Sequence, residues 1–174
     1  LVLLGLSAAT TLPGCATACN PATRSSQCDP LADHSREANE WHEKGMALGN
    51  KGQDEEALRA FERAIRYKQD FAEAWFNKGL SLRKLGDEQK AMEAFERAIE
   101  INPRFIQAWY NKGISLGILH RDKAEASSFK QAAGFTPESS GAWYFKGLSL
   151  NRLGREEEAL SAFEQALALK PFYP

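Results

Sequence analysis

The chain has 174 residues, of which 43% are hydrophobic, and its 22 Lys and Arg nearly balance its 23 Asp and Glu, giving a formal net charge of −1. Because the basic residues are also dispersed, the sequence gives little electrostatic support to nucleic-acid binding. His34, His42 and His120 include no pair at the i, i+4 spacing of a helical metal site. The sequence contains no phosphate-cradling glycine loop and no nucleophile elbow. We therefore expect no catalytic residues, no metal site and no cofactor.

The chain begins with an uncharged apolar run from Leu1 to Leu12. The run is far shorter than the ~20 residues that a membrane-spanning helix needs. It fits the apolar core of a secretory signal, which is best excluded from reasoning about the fold. Leu12-Pro13-Gly14-Cys15 also resembles a bacterial lipobox. The resemblance implies that residues 1–15 direct export and that Cys15 becomes the lipidated first residue of a protein anchored in the cell envelope.

A second interpretation of this segment remains open. Ala16-Thr17-Ala18 is a small-x-small motif, and cleavage there would release a soluble secreted or periplasmic protein. If Cys15 is lipidated, residues 16–37 form a disordered tether between the anchor and the rest of the chain. Cys19 and Cys28 then remain as a candidate disulfide, which suits an oxidising compartment.

From residue 38 onward the sequence repeats itself with a period of 34 residues. All the tryptophans of the chain keep this interval, as do a phenylalanine, an alanine and a Lys-Gly pair in each copy. The repeated positions are Trp41, Trp75, Trp109 and Trp143; Phe61, Phe95, Phe129 and Phe163; Ala64, Ala98, Ala132 and Ala166; and Gly45, Gly79, Gly113 and Gly147. We divide the array into units 38–71, 72–105, 106–139 and 140–173.

Each unit is predicted to be a helix–turn–helix. In the second unit, apolar residues recur at intervals of three and four on both sides of a short break, as expected of two amphipathic helices. At the break, Gly86 can adopt the left-handed conformation that ends a helix, and Asp87 can cap the next one.

The repeat resembles the tetratricopeptide repeat, whose pattern is an aromatic residue, then Gly, then Ala…Phe…Ala…Pro. The second unit meets it with Trp75, Gly79, Ala91, Phe95, Ala98 and Pro103, and the fourth with Trp143, Gly147, Ala159, Phe163, Ala166 and Pro171. The resemblance implies an all-α fold, a right-handed α-α superhelix or solenoid of four units over residues 38–173. In such a fold the repeated Trp and Phe side chains form the core.

The third unit departs from its siblings. His120 replaces the turn glycine, Glu125 replaces the first alanine of the second helix, and Gly134 falls near the end of that helix. We expect that helix 122–135 either shifts to bury Ala124 or Ala126, or is the softest element of the array. His120 is better explained as an imperfect turn residue than as a pH switch.

In the tetratricopeptide family the first helix of each unit lines a concave groove that binds peptides. The resemblance assigns the lining of this groove to Phe76, Asn77, Leu80, Arg83, Tyr110, Asn111, Ile114, Tyr144, Leu148 and Arg152. Amides can pair with a peptide backbone, and aromatic rings supply contact area at low entropic cost. We expect a peptide with apolar side chains and an acidic or free C-terminal end. The carboxylate clamp of chaperone-binding members is not expected, because His42, Met46, Gln107 and Asn111 stand where it would need other groups.

These features predict a non-enzymatic protein-interaction adaptor at the cell envelope, whose groove holds an extended segment of a partner protein. An alternative is a scaffold that associates with itself, for example as a homodimer, through an uncapped apolar end formed by Leu160, Leu167 and Phe172. A further alternative is a regulatory fragment of a larger protein.

Overall fold

The computed structural model describes residues 34–169, and these form eight α-helices with no strand among them. The helices are α1 (Ser35–Asn50), α2 (Asp54–Tyr67), α3 (Ala72–Lys84), α4 (Glu88–Ile101), α5 (Ile106–Ile118), α6 (Asp122–Gly134), α7 (Ser140–Arg152) and α8 (Glu156–Leu169). They pack as consecutive pairs, and each pair packs on the next, which confirms the all-α solenoid of four helix–turn–helix units.

The predictions for Cys15, for Cys19 and Cys28, and for Phe172 lie outside the described residues. Helix α1 begins at Ser35, slightly before the predicted start of the first unit. Within residues 34–169, no helix combines the length and the apolar composition needed to cross a membrane.

Within each unit, a glycine of the first helix lies directly against a phenylalanine ring of the second. A methyl group added at Gly45, Gly79 or Gly147 would lie 2.5 Å from Cε1 of the paired ring, and one added at Gly113 would lie 2.6 Å from it. The paired rings are Phe61, Phe95, Phe163 and Phe129, in the same order. Because no real Cβ tolerates such a distance, only glycine allows the two helices to pack this closely.

Between units, the tryptophans bind the connecting loops. Trp75 Nε1 donates a hydrogen bond of 2.9 Å to the carbonyl oxygen of Gln69, and Trp109 Nε1 donates one of 2.9 Å to that of Pro103. Each indole therefore satisfies its one donor while its ring packs against the alanines of adjacent helices. This explains why the tryptophans follow the repeat so strictly.

Ion pairs accompany the first two junctions but not the third. Lys78 Nζ lies 3.1 Å from Glu62 Oε1 of the preceding unit, and Lys112 Nζ lies 2.9 Å from Glu96 Oε1. At the third junction Lys130 occupies the acidic position. Lys146 Nζ instead donates a hydrogen bond of 3.0 Å to the carbonyl oxygen of Phe135.

The turns within the units share one backbone conformation. Gly52, Gly86 and Gly154 have φ values of 73°, 84° and 71°, and His120 has a φ of 55° at the equivalent position. His120 is thus a turn residue in the left-handed region, which costs a non-glycine residue roughly 1–2 kcal/mol. As predicted, the Asp87 carboxylate caps α4 by accepting a hydrogen bond of 3.2 Å from the Lys90 amide.

The predicted shift of the third unit's second helix is wrong. Phe129 and Ala132 are buried as in the other units, whereas Ala124 and Ala126 remain exposed. The helix keeps its register because burying the large ring outweighs the unfavourable Glu125, whose carboxyl group lies over Gly117. Gly134 is the last residue of α6 and does not interrupt it.

The glycine–phenylalanine contact can be tested with Gly79→Ala. Alanine raises helix propensity by about 1 kcal/mol, but the added methyl group collides with Phe95, and overpacking costs about 1–3 kcal/mol. We expect a net loss in the free energy of unfolding of up to about 2 kcal/mol, measured by urea denaturation. Gly134→Ala is the control, because no atom lies within 4 Å of its added methyl group. It should not destabilise the protein; equal losses in both variants would contradict the packing argument.

Candidate functional site

The first helices of the units are α1, α3, α5 and α7. Helix α1 contacts α3, and α5 contacts α7, in addition to the contacts that each makes with second helices. We call their shared outer surface the first-helix face. All ten residues predicted to line a groove lie on α3, α5 and α7.

An aromatic row crosses this face at one position of each unit. Its rings are His42, Phe76, Tyr110 and Tyr144, whose centroids lie 5.7, 5.8, 5.6 and 5.7 Å from those of Phe61, Phe95, Phe129 and Phe163. The same phenylalanines pack against the repeated glycines, so the core fixes the position of each ring in the row. Tyr110 also contacts Phe145 of the next unit, at 5.4 Å between centroids.

The side chains next to the aromatic row are apolar and partly exposed to solvent. Leu80, Ile114 and Leu148, one helical turn beyond the rings, are half-buried, while Tyr144 is 43% exposed. Met46 continues the same line on α1 and is 42% exposed. The predicted strip of aromatic and aliphatic side chains is therefore present and partly accessible to solvent.

The predicted amides already have partners within the chain. Asn77 Nδ2 lies 2.8 Å from His42 Nε2, which accepts the hydrogen bond when the ring is neutral and carries its proton on Nδ1. Asn111 is only 4% exposed. Its Oδ1 accepts a hydrogen bond of 2.7 Å from Arg83 Nη1, and its Nδ2 donates one of 2.7 Å to the carbonyl oxygen of Gln107.

These hydrogen bonds limit the ability of the amide groups to bind a peptide backbone. Asn111 would have to release Arg83 before it could pair with a peptide backbone, so the structure leaves the apolar side chains as the more available contacts. The sequence did not predict the hydrogen bonds that Asn111 makes with Arg83 and with Gln107. A signal existed only for the bond to Gln107, since a helical side chain can reach the carbonyl four residues earlier.

The basic residues near the ends of α3 and α7 differ in the same respect. Lys84 Nζ lies 3.1 Å from Asp54 Oδ1 of the first unit, and Arg83 binds Asn111. Arg152, at the end of α7, is exposed. Over residues 34–169, no group of three or more His, Cys, Asp and Glu side chains is arranged to hold a metal ion.

Comparisons with known proteins agree with this architecture. A tetratricopeptide repeat profile matches residues 42–104 and 120–174, more than half of the chain. No curated protein sequence matches.

Solved structures that resemble the chain include residues 41 to the end of MamA from Desulfovibrio magneticus RS-1, with 25% identity, 77% of this chain and 76% of that one covered, and a TM-score of 0.54. The first tetratricopeptide domain of Spaghetti (RPAP3), bound to an HSP90 peptide, has 16% identity, 73% and 95% coverage and a TM-score of 0.61. YrrB, described as having an unusual peptide-binding site, has 24% identity, 78% and 70% coverage and a TM-score of 0.53. The last two likenesses show the fold alone.

The partial burial of His42 makes stability depend on pH. Burial lowers the pKa of the His42 imidazole, and the negative charges of Glu73 and Glu43 offset only part of that shift. The unfolded chain therefore takes up this proton first as the pH falls. The contribution to stability is complete above about pH 6.5 and is lost as the pH falls through the folded-state pKa.

We expect acidification from about pH 7.5 to about pH 5 to lower the free energy of unfolding more in the wild type than in His42→Phe. Phenylalanine is the residue that the second unit carries at this position. Both proteins retain His34 and His120, so the difference isolates His42. If urea denaturation at the two pH values shows the same loss in the free energy of unfolding for both proteins, His42 is not the source of the pH dependence.

Proposed function

The chain belongs to the tetratricopeptide repeat family, and on that premise we propose that it is a non-enzymatic adaptor that binds an extended segment of a partner protein on its first-helix face. The observation that carries this proposal is the partly exposed strip of apolar side chains on that face, from Met46 to Tyr144. Rings held in place by the core present contact area without losing further conformational freedom on binding.

Two of the similar structures support peptide binding as the function of this fold. RPAP3 was solved with an HSP90 peptide, and YrrB is described by its peptide-binding site. In this chain Asn77 is hydrogen-bonded to His42, and Asn111 to Arg83. We therefore propose a ligand recognised mainly through apolar side chains, with Arg152 available for an acidic or free C-terminal end.

A second candidate function is a scaffold that associates with itself. Leu160 and Leu167, seven residues apart on one face of α8, are 61% and 54% exposed, although large aliphatic side chains favour burial. Exposed apolar side chains that share a face mark an interaction surface more often than a solvated one.

We also propose that the adaptor works at the cell envelope, anchored through Cys15. The support is the lipobox-like Leu12-Pro13-Gly14-Cys15 after an apolar run. In bacterial cells, Cys15→Ser should abolish incorporation of labelled palmitate and move the protein from the membrane fraction to the soluble fraction. Cys19→Ser is the matched control and should behave as the wild type. Labelling that persists without Cys15 would contradict an anchor at Cys15, and a wild type that is never labelled would favour the secreted alternative.

The peptide-binding proposal is tested by Tyr144→Ala against Tyr67→Ala. Both tyrosines are 43% exposed, but Tyr67 ends α2 and lies away from the first-helix face. A partner is first captured from an envelope extract on the full chain, and its dissociation constant is then measured by calorimetry.

Loss of an exposed aromatic contact costs about 1–2 kcal/mol when the residue contributes to binding, so Tyr144→Ala should weaken binding about five- to thirtyfold. Tyr67→Ala should leave the affinity unchanged. If the two variants bind alike, the partner does not use the predicted groove.

A further inference from the structure

The first two junctions inside the array are built from the same three positions on a second helix. On α2 these are Leu58, Glu62 and Ile65, spaced i, i+4 and i+7 along one face. Leu58 packs against the core of the second unit, Glu62 pairs with Lys78, and Ile65 packs with Ala74. The receiving surface of the second unit is formed by Trp75, Lys78 and Leu82, which with Leu58 and Glu62 line a cleft of about 560 Å³.

Helix α8 carries the same face with no further unit packed on it in the described residues. Leu160, Glu164 and Leu167 stand at the positions of Leu58, Glu62 and Ile65, and we call them the tail face. Leu167 is 54% exposed, whereas its equivalents Ile65 and Ile99 are each 9% exposed, because the next unit covers them. The tail face thus has the residues of a junction without its partner.

Helix α1 carries the matching surface at the other end of the array. Trp41, Lys44 and Leu48 stand at the positions of Trp75, Lys78 and Leu82, and we call them the head face. They line a cleft of about 510 Å³ equivalent to that of the second unit. Leu48 is only half-buried, whereas its equivalents Leu82, Leu116 and Leu150 are 6%, 3% and 2% exposed.

The two ends also carry opposite charge. The cleft at the head face is lined by four basic side chains and two acidic ones: Lys44, Arg59, Arg63 and Arg66, and Glu56 and Glu62. Arg59 and Arg66 replace the acidic Glu93 and Glu100 of the second unit's cleft. Helix α8 has four glutamates, Glu156, Glu157, Glu158 and Glu164, and neither Lys nor Arg. Opposite potentials on two surfaces favour their association and select the partner.

From this equivalence we propose that the tail face of one copy docks on the head face of a second copy, in the register of an internal junction. Leu160 and Leu167 then pack against Trp41 and Leu48, and Glu164 pairs with Lys44. Such a contact joins two different surfaces, so copies add in one direction and do not close as a two-fold dimer. The proposal rests on the second candidate function and leaves the first-helix face unused.

Helix α1 departs from the internal pattern beside the head face. Glu40 stands where α3, α5 and α7 have Ala74, Ala108 and Ala142. Its carboxylate pairs with Arg36 at 3.0 Å and is largely exposed. A bulky charged group at this place weakens the contact between copies relative to an internal junction, which limits the growth of chains of molecules.

The test uses sedimentation of the full chain over a concentration series, with circular dichroism to verify the helical content. Leu167→Glu removes the tail face, and Lys44→Glu with Arg63→Glu reverses the charge of the head face. Ile118→Glu is the control, because Ile118 is 53% exposed but lies at the end of α5. All proteins carry the same first 33 residues, so differences between them arise in the repeats.

We expect the average mass of the wild type and the control to rise with concentration beyond that of a dimer, while each end variant stays monomeric. A mixture of the two end variants should reach about twice the monomer mass and no more, because it contains one intact tail–head pair. Glu40→Ala should shift wild-type association to lower concentration.

Two results would overturn the proposal in distinguishable ways. If the wild type stays monomeric, the result contradicts both self-association and the proposed contact. If the head variant associates as the wild type does, or if the two end variants do not associate with each other, self-association still stands but the head-to-tail arrangement is excluded. Binding of a partner to the first-helix face is measured separately and is unaffected by either result.

Discussion

In each unit, one phenylalanine ring rests on the backbone of one glycine, and the rest of the structure follows from that contact. Phe61, Phe95, Phe129 and Phe163 approach their glycines within the same narrow range of distances. The approach fixes how far apart the two helices of a unit lie, and with it the placement of every side chain that faces a neighbouring unit. Four units of one geometry then stack by repeating one junction, without a core that spans the whole molecule.

The same contact links stability to the first-helix face. The ring that packs on Gly79 also supports Phe76 on the first-helix face, and each other unit has an equivalent pair. The outer rings are therefore part of the packing as well as of the site. For this reason Tyr144, the most exposed ring of the row, separates binding from folding better than Phe76 does.

The sequence was sufficient to predict the fold, because glycine, phenylalanine and tryptophan recur at positions where only those residues fit. It also placed the turns, including the unusual one at His120, because a left-handed residue is required there in every unit. The predicted shift of α6 failed because one glutamate was given more weight than Phe129. The positions of the site residues could be predicted from the 34-residue period. The hydrogen bonds of Arg83 with Asn111 and of His42 with Asn77 could not, because each joins two different units and neither recurs along the chain.

The junction between the third and fourth units has a consequence for the response of the array to its solution. Screening by salt weakens the partly exposed ion pairs of Lys78 with Glu62 and of Lys112 with Glu96. At the last junction Lys130 stands in place of the glutamate and Lys146 donates a hydrogen bond to the carbonyl oxygen of Phe135, so this junction has no equivalent ion pair to lose. A rise in salt concentration therefore weakens the first two junctions more than the third, and the four units become more evenly coupled.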